Sequence, residues 1–318
     1  MKKKIIILSG DPNSINSEII FKSWKKIKKT TKKRIYLISN YDLLIKQFKK
    51  LNYSINLIKV KNINEETNNT KLKIINVDIK FKNPFKVPKS SASKFVTSSL
   101  NLAHKLGVNE NVSGIINCAI NKNLLNKNKT GVTEYLASKC NLKDNSEVML
   151  IRNKKLSVSP LTTHIDINQI SRKIKSSLII NKVKTIDRCF KKYFKKKPKI
   201  GVLGLNPHNA EFRKKSEEYK IIAPSISKIK KIGIKISGPL VPDAVFINDY
   251  KNYDVLVGMY HDQVLIPFKA LYNFDAINIT LGLKYLRVSP DHGTASDLIG
   301  KNIANPISLI KCIEFIGK

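Results

Sequence analysis

Short apolar runs rich in β-branched residues recur along the chain, at Lys4–Leu8, Arg34–Ile38, Ile55–Val60, Ser113–Ile116, Val148–Ile151, Lys199–Leu203, Val255–Met259 and Ala276–Thr280. Runs this short, bounded by polar residues, have the length of strands buried on both faces rather than of helices. Amphipathic stretches of helical length lie between several of them, at Ser17–Lys29, Ser91–Leu106 and Ile167–Asn181. Strands alternating with helices predict an α/β fold with a largely parallel sheet. The segment from Asn62 to Asn83 is polar and rich in Lys and Asn, and reads as a surface excursion with little functional content. No repeat is seen at solenoid or propeller periods. In α/β sheets ligands gather at strand ends and in the loops that follow, so chemistry is sought there.

The 318 residues, 42% of them apolar, allow two domains with real cores despite a net charge of +36. That charge points toward nucleic acid less than it first suggests. Of the 59 basic residues only six are Arg, and the Lys are spread over the whole chain. Nucleic-acid surfaces favour clustered Arg for forked phosphate and base contacts. The runs at Lys25-Lys26, Lys28-Lys29, Lys32-Lys33 and Lys191 to Lys197 read as solvated faces, and no nucleic-acid partner is expected. Four separated cysteines, Cys118, Cys140, Cys189 and Cys312, with no CxxC, fit reduced thiols in a cytoplasmic protein. The apolar run after the first lysines is too short for a signal peptide, and no stretch is long enough to span a membrane.

Three of the five histidines fall in polar loops beside apolar strands: His164 in Leu161-Thr-Thr-His-Ile-Asp, His208 in Leu205-Asn-Pro-His-Asn and His261 in Met259-Tyr-His-Asp-Gln. Each alone reads as an ordinary loop histidine. Three such loops in one half of the chain suit a shared site, since neutral imidazoles bind Zn²⁺, Co²⁺ or a similar divalent ion and leave positions open for substrate oxygens.

The segments Gly10-Asp-Pro12, Thr162-Thr-His164, Leu203-Gly-Leu-Asn-Pro-His208, Gly238-Pro-Leu-Val-Pro-Asp243, Met259-Tyr-His-Asp-Gln263, Asn278-Ile-Thr-Leu-Gly-Leu283 and Asp291-His-Gly-Thr-Ala295 resemble the 4-hydroxythreonine-4-phosphate dehydrogenase family, in order and in spacing. The resemblance covers nearly the whole chain, most strongly from about 155 to 305. It implies an isocitrate/isopropylmalate-dehydrogenase-like two-domain α/β/α fold with the active-site cleft between the domains. One domain would comprise 1–127 and 290–318, with the cofactor loop; the other, 128–289, would carry metal, substrate and dimerisation functions. It further implies NAD and a divalent metal (Zn, Co or Mg) as cofactors, and a homodimer with a shared active site. His164, His208 and His261 would hold the metal. Asp243 and Asp262 would act beside them, orienting histidines or holding the substrate amine. Thr133, Lys269, Asn278 and Arg287 would bind a small phosphorylated hydroxy acid. The stretch from Asp291 to Pro306 also resembles the adenine loop of isocitrate and isopropylmalate dehydrogenases. That assigns His292, Gly293, Thr294, Ala295, Asp297 and Asn305 to NAD, with Asp297 facing the adenosine ribose and disfavouring NADP.

Two departures stand out. The family's Gly-His-Thr-Glu loop reads Gly131-Val132-Thr133-Glu134, so an apolar side chain replaces an imidazole that would touch substrate. The glycine-rich continuation after Gly-Asp-Pro reads Asn13-Ser14-Ile15-Asn16-Ser17. The expected reaction is NAD-dependent oxidation and decarboxylation of 4-phosphooxy-L-threonine to 3-amino-2-oxopropyl phosphate, a step of pyridoxal phosphate synthesis. Two alternatives remain open: a paralogue acting on erythronate or threonate 4-phosphate, and a basic nucleic-acid-binding protein on a relict scaffold.

Overall fold

A computed structural model of the chain describes residues 3–65, 71–125, 131–142, 146–273 and 275–318. Among these, the strands are β1 (Lys4–Leu8), β2 (Ile35–Ser39), β3 (Leu57–Val60), β4 (Leu72–Asn76), β5 (Val112–Asn117), β6 (Val148–Arg152), β7 (Ser157–Thr162), β8 (Ile200–Leu203), β9 (Ile236–Leu240), β10 (Val255–Tyr260), β11 (Ile277–Leu281) and β12 (Arg287–Pro290). The helices of two turns or more are α1 (Asn16–Lys26), α2 (Tyr41–Lys50), α3 (Lys89–Gly107), α4 (Val132–Lys139), α5 (Ser176–Cys189), α6 (Ala223–Lys231), α7 (His261–Tyr272) and α8 (Ile307–Gly317). None is long and apolar enough to cross a membrane. The four cysteines are unpaired and buried.

Internal contacts divide the chain into two units, 1–140 with 283–318, and 141–282. The terminal unit is a parallel sheet in the order β3-β4-β2-β1-β5-β12. Its central strands are almost wholly apolar because helices cover both faces of such a sheet; Ile5, Ile6, Ile35, Leu37 and Ile38 are all fully buried. The sequence-based boundary at 127/128 lies outside the described residues, and residues 131–140 belong with the terminal unit: Cys140 at the end of α4 lies beside His104 of α3, whose ring nitrogen meets the Tyr285 hydroxyl at 3.0 Å. The second boundary moves from 289/290 to 282/283, because β12 pairs with β5. Thr133 and Arg287 therefore sit in the terminal unit and not, as expected, in the middle one.

The middle unit orders its strands β11-β6-β7-β10-β8-β9. β7, β10, β8 and β9 run parallel, while β6 runs antiparallel to both β11 and β7. Its core is built from Leu203, Leu256, Val264, Phe268 and their neighbours, so α7 packs its apolar side on the sheet.

Two expectations from the polarity pattern need correction. The stretch 62–83 is not merely a surface excursion: β4 lies between β3 and β2 inside the terminal sheet, with Leu72 and Ile74 buried. Lys73 disguised it. That side chain is 1% exposed, donates to Lys33 O at 2.8 Å and lies over the Tyr36 ring. The helix expected over Ile167–Asn181 instead begins at Ser176 and runs to Cys189, with only short turns before it.

Candidate active site

In the middle unit the predicted histidines follow the carboxyl ends of parallel strands. β7 ends at Thr162, whose hydroxyl donates to Met259 O at 2.7 Å and ties the ends of β7 and β10 together. His164 follows with a left-handed φ of 51°, and His261 opens α7 directly after β10. Their rings stand 5.9 Å apart, centroid to centroid. His261 Nδ1 lies 2.6 Å from Asp262 Oδ1. A proton held there by the carboxylate leaves Nε2 free as a lone-pair donor, the usual arrangement for a metal-binding or general-base imidazole.

His208 is carried on the loop after β8, and that loop is fixed with unusual care. Glu218, fully buried, accepts from Leu205 N and Asn206 N at 2.8 Å each and from Asn206 Nδ2 at 3.0 Å. Gln263 accepts from Met259 N at 2.7 Å and donates to Gly204 O at 2.8 Å, joining the His261 turn to the His208 loop. A side chain at Gly204 would collide with Asn209 Oδ1, which is why glycine stands there. From His208 to Phe212 every residue has left-handed φ, between 49° and 56°. Such backbone disfavours non-glycine residues and persists only where the surroundings hold it; here Asn209 Nδ2 donates to Pro239 O at 3.0 Å.

The donor chemistry of this group suits a divalent metal. Yet among the described residues no three His, Cys, Asp or Glu side chains converge closely enough to hold one. The His164 and His261 rings lie together, and His208 is carried on the loop after β8. Asp262 pairs with His261, and Asp243 is exposed on the short turn after β9. Lys269 lies two turns along α7 from His261, half-buried. Asn278 on β11 has a buried Oδ1 without a hydrogen-bond partner.

In the terminal unit, Arg287 begins β12 and is 3% exposed. Its Nε donates to Asn117 Oδ1 at 2.5 Å and its Nη1 to Thr133 Oγ1 at 3.2 Å. Burial pulls the guanidinium pKa down to about 10, against the opposing pull of the Glu134 carboxylate. Thr133 and Arg287, expected to serve one substrate, are thus in contact, and Val132 precedes them at the start of α4.

The proposed cofactor loop follows β12. His292 Nδ1 sits 2.9 Å from Gly293 O, while its Nε2 is buried with no partner. Burial lowers the pKa of this ring, against the opposing pull of the Gly293 backbone and the Asp291 charge. The space a side chain would take at Gly293 is open. Both features fit a dinucleotide. Thr294 O accepts from Ile15 N at 3.1 Å, and Ala295 is left-handed at φ 42°. Asp297 is exposed and caps no helix, while Asn305 Oδ1 accepts from Ile307 N at 3.0 Å at the start of α8. Asn117 and Glu218 went unnoticed in the sequence. They belong to no histidine or glycine signature, and only the fold places them beside Arg287 and the His208 loop.

A family model described as pyridoxal phosphate biosynthetic protein PdxA matches residues 31–316. The 4-hydroxythreonine-4-phosphate dehydrogenase of Sulfurihydrogenibium sp. is 36% identical over 319 residues, covering 98% of this chain and 96% of that one. The crystal structure of 4-hydroxythreonine-4-phosphate dehydrogenase from Klebsiella pneumoniae superposes with a TM-score of 0.87 at 28% identity, over the full length of both chains. A β-decarboxylating dehydrogenase from Thermococcus kodakarensis shares the fold alone, with a TM-score of 0.52 at 13% identity over 100% of this chain and 84% of that one.

Proposed function

The chain belongs to the family of the pyridoxal phosphate biosynthetic protein PdxA, and on that premise we propose that it oxidises 4-phosphooxy-L-threonine with NAD and decarboxylates the product to 3-amino-2-oxopropyl phosphate in the cytoplasm. The observation that carries the reading is the pair of imidazoles, His164 and His261, at the ends of neighbouring parallel strands, with Asp262 fixing one of them. His164, His208 and His261 would hold a divalent ion such as zinc, cobalt or magnesium. When bound, that ion supplies a Lewis acid for the substrate's alcohol, and NAD supplies the hydride acceptor.

The protein's own residues do the rest. Asp262, bonded to His261 Nδ1, would leave the other ring nitrogen, Nε2, to meet the metal. Asp243 offers an exposed carboxylate for the substrate's ammonium. Arg287 and Lys269 supply positive charge for the phosphate, and Asn278 and Thr133 add hydrogen bonds; binding this remote group orients the carbon that loses hydride. His292, Gly293, Thr294, Ala295, Asp297 and Asn305 would receive the adenosine half of NAD. A homodimer with a shared active site, as the resemblance to the family implies, belongs to the same reading.

Val132 favours one second reading, a paralogue that oxidises another 4-phosphorylated acid without needing an imidazole there. A substrate panel with purified protein, read as NADH absorbance, decides. Turnover of 4-phosphooxy-L-threonine is expected. Preference for erythronate or threonate 4-phosphate moves the assignment to the paralogue. No turnover on any of them, with tight nucleic-acid binding, returns it to a relict scaffold.

A further inference from the structure

We propose that Glu18 and Lys22 on α1 are positioning residues for the dinucleotide, holding the 300–305 stretch in the shape that receives it. The inference rests on reading 292–305 as the cofactor loop. Between Ala295 and Asn302 that loop turns three times through left-handed backbone, at Ala295 (φ 42°), Gly300 (φ 83°) and Asn302 (φ 55°). Its only regular element among the described residues is the short turn Ser296–Leu298. A loop of this kind does not keep its own shape, because two of the three left-handed residues carry side chains and few backbone bonds close on themselves.

The support comes from α1. Glu18, 1% exposed, accepts from Ala304 N at 2.8 Å and from Lys22 Nζ at 2.7 Å on the same oxygen. Lys22 Nζ also donates to Asn302 O at 2.9 Å and to Ala304 O at 3.2 Å. An ammonium has three N–H donors, and here all three are spent on one clamp. That separates Lys22 from the solvated lysines that dominate this chain. An exposed ion pair contributes little, but a buried carboxylate bridging a backbone N–H and an ammonium is charge-assisted and geometrically exacting. Tyr53 Oη adds a brace, donating to Asn302 Oδ1 at 2.6 Å. The clamp ends one residue short of Asn305, which the cofactor reading assigns to NAD. Without it the loop samples other shapes, and the cost of ordering it falls on cofactor binding.

The test uses full-length protein with Lys22→Met, which keeps the stem and removes the ammonium, and Glu18→Gln. NAD affinity is measured by titration calorimetry, and hydrogen exchange reports on 300–305. Loss of the clamp should weaken NAD by about tenfold, the scale of one charge-assisted bond. KM for NAD should rise with it, while kcat at saturation and KM for the phosphorylated substrate stay within about twofold. Exchange at 300–305 should quicken in the free variant and slow again when NAD binds. A purely structural role would instead lower stability throughout the terminal unit. NAD affinity equal to wild type in Lys22→Met overturns the proposal; if that variant does not fold, unchanged affinity in Glu18→Gln does so. Gly293→Val, which fills the open space in the same loop, separates the two readings. If it leaves NAD binding intact, the loop is not the cofactor site. If it weakens NAD while the clamp variants do not, the positioning role alone is lost.

Discussion

Replacing Glu218 by Ala tests whether the His208 loop is held from beneath. The carboxylate is fully buried and receives three hydrogen bonds, two of them from the backbone N–H groups of Leu205 and Asn206. Stranding a buried N–H costs about 1–3 kcal/mol. Leu205 and Asn206 are themselves half-buried, so water can reach part of the gap, and the lower end applies to each: about 2–3 kcal/mol in all. Glu218→Gln should cost less, since its carbonyl oxygen can still accept both backbone donors; its amide would face the Asn206 amide, donor against donor. The pH dependence adds a signature. Burial pushes the Glu218 carboxyl up, and hydrogen bonds from the Asn206 side chain and from the backbone of Asn206 and Leu205 more than offset it, leaving the pKa below its ordinary value. With the folded pKa depressed, the native state binds fewer protons than the unfolded chain. Glu218's contribution is therefore present above the unfolded carboxylate value of about 4.3 and fades as pH falls through the folded one. The assay is urea unfolding of wild type and both variants from neutral pH into acid, with turnover measured beside it. Equal stability of Glu218→Ala and wild type with unchanged turnover, or a gap that widens in acid, would refute the reasoning.

Arg287→Ala should weaken the phosphorylated substrate by at least about tenfold and spare the dephospho analogue, since a charge-assisted bond contributes roughly 1.5–3 kcal/mol; equal losses in binding assays would mean that Arg287 serves packing with Asn117 and Thr133. Val132→His should lower KM for 4-phosphooxy-L-threonine, and a raised KM would favour the paralogue. Asp297→Asn should narrow a preference for NAD over NADP, measured as the ratio of kcat/KM values; an unchanged ratio removes Asp297 from the cofactor site. Burial, followed by the charge of Lys4, lowers the Lys73 pKa from 10.5 to about 8. The folded state thus sheds that proton first, and stability should rise with pH across this window; Lys73→Met should lack this rise in a comparison of denaturation curves.

The parallel strands of the core were legible because strands buried on both faces leave uninterrupted apolar runs, as at β1 and β10. β4 was hidden by one buried lysine whose partners, Lys33 and Tyr36, come from another part of the chain. β7, β9 and β12 contain Ser, Pro or Arg among their residues, and only their neighbours in the sheet make them strands. The candidate chemistry was legible where it sits in loops with a fixed order of residue types, and the structure places the histidine loops and the stretch from Asp291 directly after strands β7, β8, β10 and β12. Asn117 and Glu218 were not legible, since each acts on a residue distant in sequence or through backbone atoms that leave no mark on residue type. The loop that carries His208 is held by Glu218 and Asn209, contacts that residue type alone does not announce.

The terminal unit is completed by a strand that the ribosome delivers late. Asn117 at the end of β5 and Arg287 at the start of β12 are 170 residues apart in the chain, yet they are neighbours in one sheet. At roughly 5–20 residues per second, β5 emerges about ten to thirty seconds before its outer partner exists. During that interval Ile115 and Ile116 lie on an open parallel edge, the kind of surface that recruits strands from other chains. The whole middle unit can meanwhile form. A nascent chain truncated before β12 should therefore be the aggregation-prone species, since β12 covers the β5 edge of a sheet begun at residue 4.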